Sequence, residues 1–146
     1  DKVATFHTNK TIEIGAGIKF PATQVTSANA NTLDDYEEGT FTINEVTSGT
    51  QTSTYTKIGN LVYLSVQVES GATFSTTALS GLPFPPANIA TAIVYTDGFS
   101  VPSNTLLLII ISSGSMYIRT QAESGTIGVP TDLSGANFRF SITYRV

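Results

Sequence analysis

Four carboxylates crowd one short stretch of this chain. The segment "TLDDYEEGTFT", residues 32 to 42, sets Asp34, Asp35, Glu37 and Glu38 around one tyrosine in a protein otherwise sparing with charge. Carboxylates grouped this way suggest Ca²⁺, which takes about six to eight oxygen ligands. They also suggest a glycosidase pair, which needs two carboxyls about 5 to 10 Å apart across a sugar. Neither fits. D-D-Y-E-E lacks the spacing of an EF-hand loop, and neighbours in one short turn do not aim at a single point or face each other across a ring. The local expectation is a capped turn, with Thr32 as N-cap, Asp35 in capping-box position and Gly39 ending it. Carboxylates in a first helical turn also meet the positive end of the peptide dipoles. No metal and no cofactor is expected.

The other reactive side chains are dispersed. Asp1, Glu13, Glu45, Glu69, Asp97, Glu123 and Asp132 carry no cue that any two converge. His7 is the only histidine and has no Ser or Asp arrangement near it in sequence, so a triad is not expected. Cysteine is absent, which removes thiolate nucleophiles, disulfides and Cys-based zinc sites. Seven basic and eleven acidic residues give a net charge of −4 with no Lys/Arg cluster, a poor match to nucleic acid or an anionic membrane. No apolar run approaches the roughly 20 residues that cross a bilayer as a helix. What remains is binding by aromatics beside polar groups, the combination that stacks on sugar rings and takes their hydroxyls. Tyr95, Asp97 and Phe99 surround one turn, and Tyr117 and Arg119 share one strand face at period two. A core role is the competing reading for each strand aromatic.

Strands must position these residues. Thr, Val, Ile, Tyr and Phe are abundant and turn residues recur at short intervals, which predicts an antiparallel two-layer sandwich of about eight short strands. "TFTINEV" alternates from Thr40. "STYTKIGNLVYLSVQVE" holds two strands around a Gly59-Asn60 turn, with Val62, Leu64, Val66 and Val68 as the core face. Phe138, Phe140, Ile142 and Tyr144 alternate against Asn137, Arg139, Ser141, Thr143 and Arg145. The run Leu106 to Ile111 does not alternate, so burial on both faces is expected, under a long loop or at a subunit interface. Upstream, Ile12, Ile14, Ile18 and Phe20 share one parity over a segment with little else to cover it. An isolated hairpin is marginal in water, so another chain is expected there. Residues 21 to 32 read as an extended linker. The chain opens on Asp rather than Met, which reads as a piece of a longer polypeptide.

Residues 17 to 42, "GIKFPATQVTSANANTLDDYEEGTFT", resemble a junction found in tail fibre and tailspike proteins of tailed bacteriophages, where G-I-x-F-P-A-T-Q leads into A-N-T-L-D-D-Y-E-E-G-T-[WF]-T. "YTKIGNLVYLSVQV", residues 55 to 68, resembles the same family's Y-T-K-I-G-x-x-V strand pair, and "LSGLPFPPAN", residues 79 to 88, its S-G-L-P-F segment. Phe41 stands where tryptophan is common, a conservative change for packing. From Ala90 onward only strand character is shared.

The resemblance implies a homotrimer at the distal end of a viral adhesion fibre. Residues 1–38 would end a β-stranded trimeric stem, and residues 39–146 would form a jelly-roll-like antiparallel β-sandwich head. Ile12, Ile14, Ile18 and Phe20 would meet their copies in the stem, and Leu108 and Ile110 in the head. The implied role is attachment to a bacterial surface polysaccharide, trimer registration, or both, on a virion assembled in the host cytoplasm. The resemblance transfers no ligand residue, so Tyr95, Asp97, Phe99, Tyr117 and Arg119 stand as candidates on chemistry alone. The alternatives are a fragment of a polysaccharide-depolymerising tailspike, for which no carboxylate pair is apparent, and a trimerisation cap without ligand.

Overall fold

Period-two alternation dominates the chain, and strands are what it builds. The computed structural model describes residues 15, 18, 33, 35–97, 103–130 and 134–146. Among them there are ten strands and no helix: β1 (Tyr36–Thr40), β2 (Val46–Ile58), β3 (Leu61–Phe74), β4 (Ala78–Leu79), β5 (Ala90–Ile93), β6 (Tyr95–Asp97), β7 (Thr105–Ser112), β8 (Ser115–Ala122), β9 (Ile127–Gly128) and β10 (Ala136–Arg145). All pair antiparallel, in one sheet ordered β1-β2-β3-β10-β6 and a second ordered β4-β8-β7-β5, with β9 beside β8. The protein is all-β, two antiparallel sheets around one core.

Each sheet contributes one apolar face to that core. Val62, Leu64, Val66 and Val68 of β3 and Phe138, Phe140, Ile142 and Tyr144 of β10 meet Leu107, Ile109 and Ile111 of β7 and Met116 and Ile118 of β8. Phe138 sits between two rings, with centroids 5.0 Å from Phe74 and 5.6 Å from Phe140, both edge-on. Burying each such side chain stabilises the fold by roughly 1.5 to 3 kcal/mol. The Gly59-Asn60 turn joins β2 to β3 with Ile58 opposite Leu61, as the sequence predicts. These two strands are far from short, at 13 and 14 residues. Two register shifts near Ser48 let so long a hairpin twist around the core.

The sheets are also joined along one side. Val94 alone separates β5 from β6, yet β5 pairs with β7 in the second sheet and β6 with β10 in the first. Buried Val94 donates its N–H to the Leu107 carbonyl at 3.0 Å. One nearly continuous run thus leaves one sheet and enters the other.

Two expectations need correction. Tyr36 to Thr40 is not the tail of a capped turn but the edge strand β1, paired from Tyr36 opposite Ile58 to Thr40 opposite Thr54. Ladder bonds to β2 satisfy the backbone that local capping was expected to serve. "TFTINEV" is not one strand: residues 41–45 form a loop, which drops Ile43 into the core. The Gln51 amide grips that loop, accepting from Ile43 N–H at 2.6 Å and donating to Ile43 O at 3.3 Å. Glu45 closes it against the next segment, accepting from the Ser80 N–H at 2.6 Å and hydroxyl at 2.7 Å. Burial alone would raise this carboxyl, but the Ser80 hydrogen bonds hold it below the ordinary glutamate value. Within a single chain the run at residues 106 to 111 is covered on both faces only in part. Strand β7 is central, but its outward side is not covered along its length, since Leu106 is 52% exposed while Leu108 is buried and Ile110 half-buried. Of the expected stem contacts, Ile12, Ile14 and Phe20 lie outside the described residues, and Ile18 is exposed.

Candidate functional site

A strand sends neighbouring side chains to opposite faces, and β1 does this to the acidic stretch. Asp35 and Glu37 turn toward the inner side, Glu38 outward, where it accepts from the Tyr36 hydroxyl. Asp35 forms an ion pair with Lys57 of β2, the two side chains only 4% and 9% exposed. The Lys57 ammonium also lies 5.4 Å from the centre of the Phe84 ring. Tyr55 meets Phe84 edge-on at 5.3 Å. Its hydroxyl is raised by burial and by the Glu37 carboxylate beside it. The Tyr55 ring covers Gly39 so closely that a β-carbon there would stand 2.7 Å from it. Gly81, at φ +97°, lies against the Thr42 carbonyl, which an added β-carbon would approach to 1.9 Å. Tyr144 donates to the Phe84 carbonyl at 2.9 Å, and burial pushes its hydroxyl up to about 12. The described residues 35–42 therefore meet the segments 55–68 and 79–88 in one packing unit. Its described carboxylates have separate partners rather than a common centre.

The outward face of the first sheet is different. Tyr95 of β6 stands opposite Arg139 of β10, which stands opposite Gln67 of β3. The next row carries Ser141 opposite Ser65. With Ile93 these residues line a cleft of about 380 Å³. The Tyr95 ring is 61% exposed. Arg139 forms an ion pair with Glu69 at the rim. The Arg139 guanidinium first, and then a hydrogen bond from Gln67, hold the Glu69 carboxyl below its ordinary value. Tyr63 donates to the Ser141 hydroxyl at 3.1 Å. Asp97, exposed, stands opposite Asn137 one row beyond Tyr95. The cleft thus combines an open aromatic face with hydroxyl, amide, guanidinium and carboxylate groups. It can stack on a ring while donating to and accepting from hydroxyls.

Tyr117 and Arg119 are not part of it. They lie half-buried on the outward face of the second sheet, with the core between them and Tyr95. There Arg119 is 4.9 Å from the Tyr117 ring centre and donates to the Ile118 carbonyl. Their cross-strand neighbours are Leu108 and Ile110, so candidates expected for ligand and for subunit contact share one surface. That surface is largely apolar, with Ile93 beside Leu108 and exposed Leu106 and Ile127 flanking Gln121. A second cleft of about 440 Å³ lies at its end, lined by Asn104, Leu106, Gln121, Ala122 and Glu123. Phe99 lies outside the described residues.

Sequence reasoning found Tyr95 and Asp97 but missed Ser65, Gln67, Glu69, Arg139 and Ser141 as their neighbours. Alternation already places Arg139 and Ser141 opposite the apolar set of β10. What was lacking is the register that sets Arg139 beside both Gln67 and Tyr95. No protein-family model matches the chain, and no curated protein matches it.

Proposed function

We propose that this chain is the distal module of a tailed-bacteriophage tail fibre or tailspike, attaching the virion to a bacterial surface glycan and assembling as a homotrimer. The observation that carries the binding part is the open Tyr95 ring over a cleft whose walls are Arg139, Gln67, Ser65 and Ser141. The resemblance carries the viral part, and the described residues of its three segments make up the packing unit around Asp35, Lys57 and Phe84. Three of the described acids have partners within the chain, which favours adhesion over polysaccharide cleavage: Asp35 is paired with Lys57, Glu45 with Ser80 and Glu69 with Arg139. Truncating Tyr95 to alanine removes a stacking surface but little packing. Tyr95→Ala is expected to weaken attachment to host cells or purified glycan by about tenfold, roughly 1.4 kcal/mol, with an unchanged melting temperature. Unchanged attachment would refute the assignment and favour a cap without ligand.

The trimer part rests on the outward face of the second sheet, where Leu106 and Ile127 are half exposed beside buried Leu108. Leu106→Asp and Ile127→Asp change side chains outside the core cluster. Both are expected to keep the strand spectrum of the fold while shifting sedimentation from trimer to monomer. Trimers that survive both substitutions would place the subunit contact elsewhere.

A further inference from the structure

We infer that the first-sheet cleft selects an electrically neutral glycan segment and discriminates against sugars bearing carboxylate, sulfate or phosphate. The inference rests on the binding reading above and adds the ligand's chemical class. Its basis is the charge arrangement around Tyr95. Arg139 is the cation beside Tyr95, and Glu69 already occupies it. Asp97 stands one row along, opposite Asn137, and adds a second carboxylate. Among the described residues the other cations are remote or turned away. Lys57 is buried against Asp35, and Arg119, two strands from Ile93 on the other sheet, is turned to the Tyr117 ring and the Ile118 carbonyl. Arg145 follows Arg139 by six positions on β10, about 20 Å along a strand.

An anionic sugar would have to displace Glu69 from Arg139. It would then sit beside a released carboxylate, with Asp97 close by. One unit-charge repulsion near 4 Å in water is worth a factor of about five in affinity. A neutral ring meets no such opposition. Its apolar face can lie on Tyr95, and its hydroxyls find donors on Arg139 and acceptors on Glu69. Gln67, Ser65 and Ser141 can do either. The Arg139–Glu69 pair then works as a fixed donor–acceptor couple for adjacent hydroxyls, which is the pattern a neutral sugar presents.

The test uses the full chain on an array of bacterial-type glycans, neutral oligosaccharides beside sialylated and uronate-bearing ones, with Tyr95→Ala and Glu69→Gln as variants. Glu69 is in a surface ion pair, which contributes little to folding, so Glu69→Gln leaves the fold intact. The expected result is binding of neutral glycans only, weakened about tenfold in Tyr95→Ala and little changed by salt. Glu69→Gln is expected to weaken neutral binding several-fold and to allow acidic glycans to bind. Acidic glycans bound by the unaltered chain, in a Tyr95-dependent and salt-weakened way, would overturn the neutral class while leaving the site in place. Glycan binding that ignores Tyr95→Ala, or no glycan binding at all, would overturn the site and the inference together.

Discussion

Removing either member of the Asp35–Lys57 pair is expected to lower the unfolding free energy by about 3 to 5 kcal/mol. Both side chains are almost sealed from water, so Asp35→Ala strands an ammonium under Phe84, and Lys57→Met strands a carboxylate. The surviving charge has no water to turn to, and its desolvation penalty is no longer offset. Urea unfolding of the two single variants measures the loss. The double variant Asp35→Leu, Lys57→Met is expected to recover most of it, because an apolar pair of similar bulk carries no such penalty. Glu38→Gln, in the same acidic stretch but exposed, is expected to stay within about 0.5 kcal/mol of the parent. Single variants as stable as the parent would mean that the pair is not sealed in solution.

Gly81→Ala is expected to cost about 3 kcal/mol or more. Two effects combine at this position. The backbone there has φ +97°, which side chains rarely tolerate. The new methyl would also meet the Thr42 carbonyl at 1.9 Å, and that atom is backbone rather than a movable side-chain end. Relief requires the 41–45 loop to move away from the segment after β4, taking buried Ile43 with it. The Glu45 contacts to Ser80 should weaken in step. Thermal melting of Gly81→Ala, with hydrogen exchange at the Ser80 amide, checks both parts. A melting curve that overlays the parent's would show that this close approach is not a constraint.

Much of the sandwich was legible because period two is a local signal. Val62 to Val68 and Phe138 to Tyr144 announce their inward faces by alternation alone, and Gly59-Asn60 announces the turn. Strand β1 was hidden for the opposite reason. Its residues, Tyr-Glu-Glu-Gly-Thr, have little strand character, and they become a strand only because β2 offers a partner ladder. The role of Asp35 depends on Lys57 across that ladder, which no local spacing reveals. The cleft was half legible. Tyr95 could be chosen as an aromatic beside a turn, but its neighbour Arg139 is paired with a glutamate 70 residues away in sequence. Whether Tyr95 and Tyr117 share a surface was illegible at the same level. Each is a strand tyrosine near a turn, and only the strand order assigns them to different sheets.

The attachment of β1 has a mechanical consequence. The chain joins the first sheet beside the β2–β3 turn, where Asp35 accepts from the Gly59 amide at 2.9 Å and pairs with Lys57. Arg139 lies six residues back along β10 from Arg145, which stands opposite Leu61 at that same turn, so the cleft is offset from this anchor by about 20 Å along the strands and by the strands that separate β1 from β10 and β6 across the sheet. Tension between the anchor and a glycan held at Tyr95 then runs obliquely across the sheet, with one component along the strands. The component along the strands shears the β1–β2, β2–β3, β3–β10 and β10–β6 ladders together, so many hydrogen bonds share the strain at once. A sideways tug on β1 would instead unzip its five residues one bond after another. The first sheet therefore resists a pull along its strands better than peeling at β1.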